Sequence, residues 1–67
     1  MEKKQIQRLL RFTTAQIGLL ERCIANTKKS EKDMDPRAYI VMIKEYNSQR
    51  NQLNAEAAKY RAELGSG

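Results

Sequence analysis

Ser30-Glu31-Lys32-Asp33-Met34-Asp35-Pro36 is a seven-residue break in a chain that otherwise reads as helix on both sides. It shows no apolar periodicity and ends on Asp-Pro. Aspartate is a preferred N-cap, and proline suits the first helical position, where its missing N–H would have no intrahelical partner anyway. Asp35 is therefore expected to cap a helix that begins at Pro36. The break divides the 67 residues into two segments of similar length.

Upstream, residues 3–29 hold no proline and a single glycine, Gly18. Ile6, Leu9, Leu10, Ile17, Leu20 and Ile24 recur at helical spacing, with Thr13 filling the gap. At 3.6 residues per turn these positions share one face. Downstream, Tyr39, Met42, Ile43, Tyr46, Leu53, Ala57, Tyr60 and Leu64 follow a three-four rhythm close to a heptad. Gly65 comes next, as is usual at a helix end. The expected fold is all-α: one domain over 1–64, with a helix at about 3–29, a turn at 30–35 and a helix at about 36–64. Each helix should be roughly 40 Å long. Equal lengths and a short connection imply an antiparallel hairpin. Gly65-Ser66-Gly67 reads as an appended flexible linker.

A lone hairpin leaves apolar side chains uncovered. Phe12, Leu19 and Cys23 widen the apolar arc of the first helix, and Ile40 and Val41 point away from the seam of the second. Two hairpins packed as a four-helix bundle could cover them. A two-fold homodimer is the first expectation, because closed two-fold dimers are the commonest oligomers. Size argues the same way. Small chains bury only about 60% of their unfolded surface and lean on disulfides, metals or partners. With one cysteine and no histidine, neither an internal disulfide nor a Cys/His zinc site can be built.

The same inventory bears on function. A lone cysteine fits a reducing cytoplasm better than a secreted disulfide scaffold, and reads as a small packing residue. The longest apolar run, Ala38 to Ile43, is too short to cross a bilayer. Met1-Glu2-Lys3-Lys4 leads into no apolar core of a signal peptide. There is no imidazole, no glycine-rich phosphate loop and no dense carboxylate cluster. Glu31, Asp33 and Asp35 lack the longer ligand series of a calcium loop and read as a solvated turn. The expectation is a protein with no catalytic residues, cofactor, metal or small-molecule substrate, working outside membranes.

Charge offers a second class of function. Thirteen basic residues against eight acidic give a net +5. Lys4, Arg8, Arg11, Arg22 and Lys29 project onto the back of the first helix, away from the seam. A basic stripe of this kind is the footprint of a phosphate-backbone binder, though any exposed helix face is charged. Tyr39, Tyr46 and Tyr60 share a face with Arg50 and could stack on bases, yet they coincide with the seam, where a core role is the simpler reading. Arg50 inside the seam suggests a register-fixing polar residue, paired with Glu21 or Glu56 or lying at the open edge.

The stretch from Ile17 to Leu53 resembles the helical-hairpin oligomerisation segment of bacteriophage terminase small subunits. The pieces that carry the resemblance are Leu19-Leu20-Glu21-Arg22, the polar turn, Asp35-Pro36-Arg37-Ala38-Tyr39, and Lys44-Glu45-Tyr46 leading to Gln52-Leu53. The resemblance covers a little over half the chain. It implies a hairpin that helps assemble a ring for viral DNA packaging. The helix-turn-helix region that such subunits usually carry has no counterpart in these residues. In outline the chain is also similar to the plasmid copy-number regulators that dimerise as four-helix bundles, and to co-chaperone hairpins of type III secretion. The expected function is accordingly a protein-protein interaction module, self-associating or docking on another protein. A nucleic-acid-binding regulator is the alternative, and a small inhibitor or co-chaperone a third reading.

Overall fold

The computed structural model describes residues 2–65. Helix α1 spans Lys3–Lys29, a single 3-10 turn spans Glu31–Asp33, and helix α2 spans Pro36–Gly65. The two helices lie side by side in a rod whose Cα atoms extend 49 × 14 × 13 Å. The chain is an all-α helical hairpin.

The packing follows from a stricter rhythm than the 3.6-residue arc. Ile6, Leu10, Thr13, Ile17, Leu20, Ile24 and Thr27 are spaced four, three, four, three, four, three, and every one of them is buried or half-buried. On α2, Tyr39, Ile43, Tyr46, Arg50, Leu53, Ala57, Tyr60 and Leu64 keep the same alternation, again all buried or half-buried. Met42 flanks this row, half-buried. Two such rows are what a two-stranded coiled coil packs against each other. Leu9 corrects the sequence reading. Helical projection puts it in the seam with Leu10, yet it lies outside the heptad row and is 36% exposed.

The core is thin. Among the described residues Ile6, Ile24 and Ala57 are the buried apolar ones, joined by Thr13 and Thr27. Ala57 has no exposed surface at all. A small side chain there lets the backbones approach closely. Thr13 tolerates burial because its hydroxyl donates to the Leu9 carbonyl at 2.7 Å, one turn back.

The connection is tight. The Ser30 N–H donates to the carbonyls of Asn26 at 3.2 Å and Thr27 at 3.1 Å, closing α1. The Asp33 N–H then donates to Ser30 at 2.9 Å, and the Met34 N–H to Glu31 at 3.3 Å. Met34 is extended and half-buried, an apolar residue inside a polar turn. It stands one residue before Asp35, and Tyr39 stands at the fourth helical position, the placement of a hydrophobic staple. The Asp35 carbonyl accepts the Tyr39 N–H at 3.0 Å, so α2 opens where Asp-Pro places it. Its carboxylate makes no capping bond among the described residues. At the other end α2 includes Gly65, whose φ is not positive, so the left-handed glycine ending is not formed there. Gly65 is thus the last residue of the helix instead of the first of a linker. Ser66 and Gly67 lie outside the described residues.

Candidate functional site

The side chains singled out from the sequence as interface residues all stand in solvent. Phe12 is 62% exposed and Leu19 59%. Ile40 and Val41 are each more than half exposed. Cys23 is also exposed, so it takes no part in the packing of the hairpin itself.

The structure separates these residues into two groups. Leu9, Phe12, Gln16, Leu19 and Cys23 are spaced three, four, three, four. They form a second heptad row on α1, running beside the first and displaced from it by one residue. A helix with two adjacent rows can pack against two neighbours, and α2 occupies only one. Ile40 and Val41 form no row. They are consecutive, so the helix turns them about 100° apart. Isolated exposed apolar residues of that kind are ordinary on protein surfaces.

The second row borders a groove. Gln16, Leu19, Leu20 and Cys23 of α1 and Gln49, Gln52, Leu53 and Glu56 of α2 enclose about 390 Å³ along one side of the rod. Leu20 and Leu53 belong to the hairpin rows and form its floor, which is why both are only half-buried. Glu56 is the single charged residue among the eight. Helical projection picks out Phe12, Leu19 and Cys23 but not the whole row, because Leu9 merges there with the seam and Gln16 carries no apolar signal. Its signal was the three-four spacing through Gln16.

The basic residues are only partly gathered. Lys4, Arg8 and Arg11 line one small cleft with Gln7, of about 140 Å³. Arg22 and Lys29 stand further along α1 and do not join it. The tyrosines Tyr39, Tyr46 and Tyr60 are half-buried in the seam, with Arg50 half-buried among them. Arg50 forms no ion pair with Glu21 or Glu56, which leaves the open edge of the three positions considered for it. Glu31, Asp33 and Asp35 are exposed. Among the described residues no group of three or more histidine, cysteine, aspartate or glutamate side chains could hold a metal ion. No helix of the described residues is long and apolar enough to cross a membrane.

No family model matches this chain, and no curated protein or solved structure matches it.

Proposed function

We propose that the hairpin is a non-enzymatic oligomerisation module whose work is done by an apolar face of α1. The observation that carries this reading is the uncovered row Leu9, Phe12, Leu19 and Cys23, beside a core with only three buried apolar residues among those described. A small chain with so little core gains stability by covering such a row. A hairpin that builds a larger assembly is also what the resemblance to terminase small subunits implies. Light scattering after size exclusion tests the reading. The expected mass is an integral multiple of the protomer's, at least two. A protomer mass at every concentration sinks it.

A second reading has one observation in its favour, the cleft that brings Lys4, Arg8 and Arg11 together. Three cations around one depression suit a phosphate of a nucleic-acid backbone. It predicts binding to a mixed nucleic-acid pool that weakens steeply with salt. It also predicts loss of that binding in Arg8→Glu with Arg11→Glu, while helicity is kept. Unchanged binding in the double variant would exclude the cleft.

A further inference from the structure

We propose that the occupant of the groove is a second copy of this chain, with the two α1 helices packed antiparallel about a two-fold axis at Gln16. The inference rests on the oligomerisation reading and gives it a partner and a geometry.

The row is nearly symmetric about Gln16. Leu9 and Cys23 lie seven residues to either side of it, Phe12 four before and Leu19 three after. Turned end for end on Gln16, the row meets a copy of itself with Leu9 opposite Cys23 and Phe12 opposite Leu19. Self-complementarity of this kind is what a two-fold contact requires, because each patch must be its own partner. A parallel in-register pairing is also two-fold, but it would set Cys23 against Cys23 and bring both Lys4, Arg8 and Arg11 clefts to the same end of the dimer.

The groove supplies the receiving half. Gln16, Leu19, Leu20 and Cys23 stand at i, i+3, i+4 and i+7 on α1. Those are the four corners of a hole in knobs-into-holes packing. In the antiparallel register the residue that arrives over that hole is Phe12 of the second copy. The two-fold axis repeats the contact, so two phenylalanines leave water and two grooves are filled.

The row itself carries no charged side chain. The chain carries +5, so two copies repel wherever their cations meet. Lys4, Arg8 and Arg11 gather in a separate cleft. Across the groove α2 contributes Gln49, Gln52 and Leu53, with Glu56 as the one charge. Exposed area agrees as well. The chain exposes 5371 Å², against about 4,400 Å² for a compact monomer of its mass. The excess, about 1,000 Å², is comparable to the roughly 800 Å² that each partner buries in a standard-size interface.

Disulfide trapping reads the register directly. Leu9→Cys, with Cys23 retained, should move nearly all of the protein from the protomer band to a covalent dimer band under mild oxidation. The unaltered chain, whose only thiol is Cys23, should stay at the protomer band. Its two thiols would lie fourteen residues apart along the paired helices, about 20 Å. Gln16→Cys with Cys23→Ala should cross-link to itself, because position 16 lies on the axis, and it carries the test if Leu9→Cys loses helicity. Rapid cross-linking through Cys23 alone would overturn the antiparallel pairing, as would failure of the Gln16→Cys variant to cross-link while it sediments as a dimer. If the unaltered chain sediments as a protomer, the oligomerisation reading itself has failed and the pairing falls with it.

Discussion

The two helices are almost equal in length, yet α1 buries Ile6, Thr13, Ile24 and Thr27 while α2 buries Ala57 alone. Their side chains explain the difference. The α1 row is built from short aliphatic and threonine side chains that fit beneath the opposing helix. The α2 row gives four of its eight positions to Tyr39, Tyr46, Arg50 and Tyr60, whose long side chains one neighbour cannot contain and which are half-buried. α1 also concentrates its apolar residues on one arc, whereas α2 scatters Ile40 and Val41 around its circumference. The hairpin therefore uses α1 twice, once against α2 and once as an exposed row. Compatibility with α2 decides the first use, and the spacing through Gln16 exposes the second.

Substitutions can break that contrast. The largest effect is expected for Ile24→Ala, which empties a buried site of the α1 row. It should cost about 3 kcal/mol, against about 1.5 kcal/mol for the half-buried Leu53→Ala on α2. Thermal or urea unfolding measures both, and equal costs would contradict the unequal burial. Next comes Ala57→Leu. A larger side chain at a position with no exposed surface should cost about 2 kcal/mol through overpacking. A neutral or stabilising result would show that the helices are not in close approach there.

Smaller changes sharpen the account. An added Cβ at Gly18 meets nothing within 4 Å, so Gly18→Ala should raise stability by about 0.8 kcal/mol through helix propensity alone. A loss of stability would mean that some partner lies against that glycine. Thr13→Val removes a hydroxyl bonded only to a carbonyl of its own helix. The methyl fills the same space, and stability should change by less than about 0.5 kcal/mol in either direction. A cost well beyond that in chemical denaturation would give the hydroxyl a role across the helix interface.

The hairpin was legible because two independent signals coincide. Apolar periodicity marks both helices, and Asp35-Pro36 marks where the second begins. The details were less so. Leu9 and Leu10 are adjacent and both apolar, and a 3.6-residue projection cannot separate them. The heptad can, and it places Leu10 in the hairpin and Leu9 in the second row. Met34 looked like part of a polar turn, although an apolar residue just before an N-cap is the signal of a staple. Arg50 sits on the heptad in both sequence and structure, but its long side chain has no ion pair there to be foreseen. The exposed row could be placed from the residues but not given a partner. An apolar stripe fits many surfaces, and only the groove and the symmetry about Gln16 narrow the choice.

Sedimentation equilibrium on three proteins tests the central claim most directly: the unaltered chain, Leu19→Glu and Val41→Glu. Both substitutions place a carboxylate at an exposed apolar position, one in the second row of α1 and one on α2. The account predicts a mass near twice 7.8 kDa for the unaltered chain and for Val41→Glu, and 7.8 kDa for Leu19→Glu at unchanged helicity. A dimer that survives Leu19→Glu, or dissociates with Val41→Glu instead, would contradict the assignment of α1 as the interface.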